Sequence, residues 1–457
     1  MQKQLAQKIL IIAALAVVLL VPVNMVKYKV YERQAYLQEA RIRVSQSWTG
    51  EQMLVSPVIV IPYRTKLATP SGFFTEKALS NAGKPETRHL EFIVPNQMAQ
   101  KTNISNSSVY KGIYEVPVYH SEISLSGRFS AEKLRSKLET IKALANYSEM
   151  EEPYIALHLS DPRGIDQTPS LMINNNAMSL NPGSQTADLP GGTHAFLSPD
   201  VILESDLDYK MQLSLRGMGS FSFIPMADDG TVSLTSDWPH PKFIGVSLPR
   251  EREISSEGFT ASWSSSQYSN TGSEFISACL VKSNCSGANG SSSGVEFIDP
   301  VDIYLQSERS IKYAVVFIGL SFITFFIFEH LSRQSIHPIQ YTFVGLAISV
   351  FYLLLISLAE HLPFHWAYII GVVCCSSLIL FYVRYMLRSS LAAAGFGAMI
   401  VSLYALLYVI VQAEDFALLM GSVLVFAILV AMMYVTRDVD WYNIGIAEKI
   451  PDNNPAN

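Results

Sequence analysis

Charge is scarce in this chain. Asp, Glu, Lys and Arg make up 16% of its 457 residues, against roughly 25% in ordinary soluble domains. With 33 basic and 39 acidic residues the net charge is −6. So mild a balance carries no polyanion-binding signature, and nucleic acid is not an expected partner. Cysteine is scarce as well. Four are too few for a disulfide-built scaffold. Cys374 and Cys375 lie inside an apolar run, whereas Cys279 and Cys285 lie in a polar stretch rich in Ser and Gly. Also missing are the short strings that mark common chemistries: a nucleophile elbow, a phosphate loop, a zincin helix, a paired-Cys zinc pattern. Their absence argues against an enzyme. No catalytic residue, cofactor or metal site is expected.

Apolar surface is abundant, at 49% of residues. Ile9–Val26 reads ILIIAALAVVLLVPVNMV, uncharged and preceded by Lys3 and Lys8. At about 1.5 Å per residue it spans roughly 27 Å, enough for a bilayer core. A cleaved signal peptide is the rival reading. The run is followed by Val26-Lys27-Tyr28-Lys29, with no small-residue cleavage site, so an uncleaved anchor is expected. Five further apolar runs follow Ser310: Ile311–Phe328, Ile339–Ala359, Phe364–Tyr385, Leu391–Val411 and Phe416–Val435. Their length suits spanning helices, and they are too continuously apolar for barrel strands.

Between Lys27 and Ser310 no stretch is apolar enough to span. Period-2 alternation in IALHLS (Ile155, Leu157, Leu159), KMQLSLRG (Met211, Leu213, Leu215) and TVSLTSDW (Val232, Leu234) predicts half-buried strands. Pro and Gly punctuation favours a sandwich-like, mostly antiparallel arrangement. One segment differs. Leu134, Leu138, Ile141 and Leu144 share a helical face, with Ser130 as the expected N-cap and Glu132 in the first turn. Residues 264–294 are expected to form a mobile surface loop. The fold class is thus an α+β membrane protein: a β-rich extracytoplasmic domain plus a bundle, six helices in total. Its parts are a cytoplasmic N-terminus (1–8), a first helix (9–26), the outer domain (27–310), a five-helix bundle (311–435) and a cytoplasmic tail (436–457).

Orientation follows from Lys and Arg in short connections. Arg333, Arg384, Arg388, Arg437 and Lys449 flank alternate connections or the tail, while Glu360–Pro363 and Gln412–Asp415 contain no Lys or Arg. Both termini are therefore expected inside. Lys27, Lys29, Arg33, Arg41 and Arg43 run against this rule, since they fall outside. In an oxidising outer compartment Cys279 and Cys285 are expected to pair.

Several polar groups stand out near the expected membrane faces. Glu360, His361, His365, Glu414 and Asp415 fall on one side and form a candidate outer-rim site that responds to protons or cations. Plain interfacial anchoring is the competing reading, because charge at the interface costs far less than at the bilayer centre. Glu329 and His330 end the second helix on the other side. WPHPKF at Trp238–Phe243 is either a rigid sheet corner or a partner-binding edge built on Trp238, His240 and Phe243. Glu308-Arg309 and Glu32-Arg33 lie just outside the membrane, where a Glu–Arg pairing would orient the domain. Trp441 and Tyr442 suit headgroup anchoring.

The chain resembles the CreD family of bacterial inner-membrane proteins. The similarity runs through ERQ (Glu32–Gln34), PVIVIPY (Pro57–Tyr63), LRGMGSFSFIP (Leu215–Pro225), SDWPHPKFIGVSLP (Ser236–Pro249) and GF (Gly258–Phe259). It continues in PVDIYLQSERSIKYAVVFIGL (Pro300–Leu320), HPIQY (His337–Tyr341), FYLLLISLAEH (Phe351–His361), EDFALLMGS (Glu414–Ser422) and TRDVDWY (Thr436–Tyr442). Ser56 stands where the family pattern expects glycine. The resemblance implies a stress-responsive protein of the bacterial inner membrane, linked to envelope integrity and colicin tolerance, and carries over no catalytic residues. The expected role is a non-enzymatic sensor, scaffold or protection factor, with the lipid bilayer and other envelope proteins as partners. The alternative is a transporter or channel-like helper, which should show internal repeats or broken helices.

Overall fold

A computed structural model describes residues 2–66, 86–186, 189–198, 202, 205–266, 268, 272, 275–276, 279, 291–297, 303–331, 336–387, 390–412, 419, 421–423, 426, 429–430, 433 and 437. The chain divides into a helical unit, Met1–Gln38 with Val301–Asn457, and a sheet unit, Glu39–Pro300. The helices are α1 (Gln2–Ser47), α2 (Ala131–Lys142), α3 (Ile303–Lys312), α4 (Ala314–Leu331), α5 (Pro338–Ala359), α6 (Phe364–Leu387) and α7 (Ser390–Gln412). The strands are β1 (Gln52–Lys66), β2 (Glu86–Ile93), β3 (Gln97–Lys111), β4 (Tyr114–Phe129), β5 (Tyr147–Met150), β6 (Tyr154–Leu159), β7 (Ser170–Ile173), β8 (Asn176–Met178) and β9 (Asn181–Pro182). They continue with β10 (Gly192–Phe196), β11 (Leu207–Met218), β12 (Ser220–Ile224), β13 (Asp229–Ser236), β14 (Pro241–Gly245), β15 (Glu251–Ser255), β16 (Gly258–Ser266) and β17 (Ser293–Phe297).

The sheet unit contains a nine-stranded sheet, ordered β14-β17-β12-β1-β6-β10-β9 with β2 and β5 also paired to β1. Its eight-stranded companion runs β15-β16-β13-β3-β4-β11-β7-β8. Leu54, Ile59 and Ile61 of β1 join Met98, Leu125, Met211 and Val232 of the other sheet in one core. Val55, Val58 and Val60 point the opposite way into a second cluster. With both faces covered, β1 reads as a nearly unbroken apolar run, the pattern of a central strand. Pro57, which cannot donate to the ladder, falls at the bulge between Val55 and Val58.

Three details depart from the sequence reading. β6 alternates on paper but is buried along its whole length, because Ile155, Leu157 and Leu159 enter the first core while Tyr154 and Ala156 enter the second. β11 and β13 keep the expected alternation. Ser130 occupies the N-cap position of α2 without a side-chain cap bond. Asp206 Oδ1 instead accepts from Ala131 N at 2.9 Å, while Asn96 Oδ1 accepts from Ser130 N at 2.8 Å. Leu134, Leu138 and Ile141 are buried as their spacing predicts, whereas Leu144 is exposed. Finally, Phe275 and Cys279 fall within the stretch expected to be a mobile surface loop, yet both are buried in the second cluster. Most of that stretch lies outside the described residues.

In the helical unit, four described helices are long and apolar enough to cross a membrane, or five if the bent pair α3 and α4 counts as one span. That pair bends by 42° at Tyr313. Six spans were expected; the run 416–435 lies mostly outside the described residues. α1 has 46 residues, far beyond the Ile9–Val26 run, and reaches about 69 Å at helical rise. Leu19, Val23, Val26 and Val30 form its buried stripe at spacings of four, three and four, while Leu10, Val17, Val21 and Met25 are exposed. Such spacing places one narrow seam against neighbours and leaves the rest to lipid. The outer domain was expected from Lys27 to Ser310; the sheet unit is the narrower Glu39–Pro300. The difference arises because α1 continues, unbroken, into its first residues, where Ala40 and Val44 pack with Val116 and Val118.

Candidate functional site

The polar groups of the helical unit gather at the two ends of a long α1 segment. The first end centres on Glu329, buried in the last turn of α4. Its carboxylate accepts from Lys8 Nζ of α1, from Ile336 N at 3.0 Å and from Tyr341 Oη at 2.8 Å. The string HPIQY builds half of this cluster. Pro338 opens α5, where a missing N–H costs nothing. His337 caps the helix: its Nδ1 accepts from Ile339 N at 3.3 Å, and Gln340 Oε1 accepts from His337 N at 3.0 Å. This capping box sets the first turn of α5 so that Tyr341 meets Glu329. Phe322 and Phe325 pack edge-on against the Tyr341 ring at 5.6 and 5.2 Å. A carboxylate away from water must be paired and hydrogen-bonded, and Glu329 is both.

The second end is an ion pair. Arg33 Nε lies 3.0 Å from Glu360 Oε1, the residue that caps the C-terminus of α5. Lys8 and Arg33 are 25 residues apart, about 38 Å along a helix, which exceeds a bilayer core and falls just short of core plus headgroups. Between them, Leu19 sits where Gly345 of α5 has no side chain; a Cβ there would stand 2.1 Å from Leu19 Cδ1. α1 thus meets α5 directly at Arg33 and Leu19, and reaches the first turn of α5 at Lys8 through Glu329 of α4.

Of the predicted outer-rim group, Glu360 is committed to Arg33, and His361 and His365 are exposed. Glu414 and Asp415 lie outside the described residues. Among the described residues no three His, Cys, Asp or Glu side chains gather as a metal site. The strings Glu32-Arg33 and Glu308-Arg309 do approach one another, through Tyr31 Oη and Glu308 at 3.5 Å, while Arg33 takes Glu360 as a carboxylate partner. Trp238 and Phe243 pack on the sheet core: Trp238 lies 6.4 Å from Phe297, and Phe243 lies 5.7 Å from Phe259 and 5.9 Å from Trp263. Only His240 of that trio is exposed. Cys279 is disulfide-bonded and Cys285 lies outside the described residues, while Cys374 and Cys375 are free. Sequence reasoning treated Glu329 as an anchor and missed its pairing with Lys8. The available signal was an acid that ends one apolar run, Glu329, and a lysine that immediately precedes another, Lys8.

Two packed sheets in one unit and membrane-length helices in the other define an α+β membrane protein. A family model described as inner membrane protein CreD matches residues 4–442. The inner membrane protein CreD of Escherichia coli (strain K12) is 32% identical over 425 residues, covering 93% of this chain and 91% of that protein. The chain belongs to the CreD family of inner membrane proteins.

Proposed function

We propose that this chain supports the integrity of the bacterial envelope and its tolerance of stress or of colicin-like toxins, acting as a non-enzymatic sensor or scaffold. The observation that carries the reading is the fixing of α1 at two points 25 residues apart, by Lys8–Glu329 and Arg33–Glu360. A helix pinned in this way suits mechanical support or signal relay. In this reading both termini are cytoplasmic, Glu39–Pro300 is periplasmic, and Cys279 pairs with Cys285. The partners are the lipid bilayer and other envelope proteins. His240, beside the edge strand β14, is the part of the predicted partner edge left open to them. The bend at Tyr313 favours one further reading, a transporter or channel-like helper, since broken helices are a device of transporters.

The test is complementation of a gene deletion under envelope stress and colicin challenge. Wild type should restore tolerance. Arg33→Ala and Glu360→Ala should fail at normal protein level, and the exchanged pair Arg33→Glu with Glu360→Arg should recover part of it. A deletion that leaves stress tolerance intact but abolishes uptake of one solute would overturn the scaffold reading in favour of transport.

A further inference from the structure

The outer face of the eight-stranded sheet carries a trough of about 650 Å³, within the size range of small-ligand pockets. Strand register explains it. Asp229, Gln97, Arg128 and Asp208 stand in one row across β13, β3, β4 and β11. Two positions along, Thr231, Ala99, Ser126 and Lys210 form a second row on the same face. At about 4.8 Å between strands each row is about 14 Å long. Small side chains at Ala99 and Ser126 sink the middle, and longer polar ones raise the ends.

One end is closed by the turn between β7 and β8. Asn174 and Asn175 hold φ values of 49° and 67°, the two-residue geometry that suits a hairpin. Asn174 Oδ1 fixes this turn by accepting from Asp208 N at 2.8 Å. Tyr209 also lines the trough. Its ring lies where Gly127 has no side chain, since a Cβ there would stand 2.7 Å from Tyr209 Cε1. The Tyr209 side chain turns with Leu207 and Met211 to the core face, opposite Asp208 and Lys210, so Tyr209 closes the floor of the trough from beneath and offers its hydroxyl to the core, not to an occupant.

The chemistry of the lining selects the guest. Two cations, Arg128 and Lys210, face two carboxylates, Asp208 and Asp229, so the trough is neutral. A phosphate or a polycation gains nothing there. No exposed aromatic face is present among the lining residues, which removes the usual platform for a nucleobase. What remains is a dense mixture of donors and acceptors, matched to a neutral ligand with many hydroxyl groups. We propose that the trough binds a neutral oligosaccharide. The inference stands apart from the reading of α1.

The test uses the purified full chain in lipid nanodiscs, titrated by calorimetry with chitotetraose, cellotetraose and maltotetraose, and with inorganic phosphate as the charged comparator. At least one tetrasaccharide should bind saturably, and phosphate should not. Lys210→Ala and Asp229→Ala, both exposed and outside the core, should each weaken binding at least about fivefold, the effect of losing one or two hydrogen bonds. Lys111→Ala, at the other end of β3, should leave it unchanged. Failure of all three sugars, binding that survives the Lys210/Asp229 double variant, or saturable phosphate binding would each overturn the proposal.

Discussion

In the sheet unit, Arg128 holds Asp208 through bonds of 2.7 and 3.0 Å, with both side chains 52% exposed. Lys242 meets Glu296 at 2.8 Å, and these too are largely open to water. In the helical unit, Glu329 and Glu360 keep only 11% and 10% of their side-chain surface. The contacts are chemically alike; the surroundings are not. Water and salt take over the partner's role when an exposed pair breaks, so the pair contributes roughly 0–1 kcal/mol. A buried carboxylate that loses its partner has no substitute, and the loss costs about 3–5 kcal/mol. Among the described residues, the two most buried acids of the helical unit are thus each set against a cation of α1, while Glu308 pairs with Lys312 and acids of the sheet unit also decorate its surface.

The strongest attempt to break this contrast is Glu329→Ala. It removes the acceptor of Lys8, of Ile336 N and of Tyr341 at once. A loss of about 3–5 kcal/mol is expected, read as the largest fall in thermal midpoint among the variants discussed, by far-UV circular dichroism in detergent. Glu329→Gln keeps a hydrogen-bond acceptor for Tyr341 and should fall between. If Glu329→Ala unfolds no earlier than a surface variant, the contrast is wrong.

Within the sheet unit, burial acts on a group that is kept uncharged. His158 lies in β6 with Nε2 3.0 Å from Thr186 Oγ1 and, among the described residues, no hydrogen-bond partner for Nδ1. Burial pushes its pKa down to about 4. The unfolded ring titrates near 6.5, so between these values the unfolded chain takes up a proton that the folded chain refuses. Stability is therefore complete above about pH 6.5 and falls as pH drops toward 4, by about 3 kcal/mol in all. Urea unfolding followed by tryptophan fluorescence across this range should show the slope, and His158→Gln should flatten it.

Packing in the helical unit gives a smaller effect. Gly345→Ala places a methyl against Leu19 and within 3.0 Å of Phe322 Cζ. Leu19 can yield, so a loss of about 1–2 kcal/mol is expected. Leu19→Ala in the same chain should recover part of it, as measured by thermal unfolding.

Much of this was legible from local pattern. The alternation in β11 and β13 and the face of α2 are properties of neighbours in sequence, and the structure keeps them. What escaped was long-range. β6 reads as half-buried because nothing in IALHLS announces a second cluster behind it, formed from Val55, Phe275 and others far along the chain. Ser130 reads as a cap, yet Asp206, distant in sequence, supplies the bond. Glu360 stands out in the sequence as one member of a candidate outer-rim group, without a partner on α1. Its partner lies 327 positions away, in the string ERQ. Both strings carry the family resemblance, and neither reveals the pairing by itself.

The smallest expected effect is the most direct check on the contrast. Lys242 and Glu296 are register partners on β14 and β17, with 57% and 43% of their side chains exposed. A double-mutant cycle with Lys242→Ala and Glu296→Ala should give a coupling of about 0.2–1 kcal/mol that fades in high salt. Lys242 has a second role that stability does not report. β14 is last in the described order of its sheet, and a lysine on such a strand discourages pairing with another chain. Lys242→Ala should therefore raise aggregation measured by light scattering while barely moving the thermal midpoint. The same cycle on Lys8 and Glu329 has the same kinds of groups and should give a coupling several-fold larger and less sensitive to salt, because these side chains keep only 24% and 11% of their surface. Equal couplings in the two units, with equal salt dependence, would mean that solvent exposure does not set the worth of these contacts.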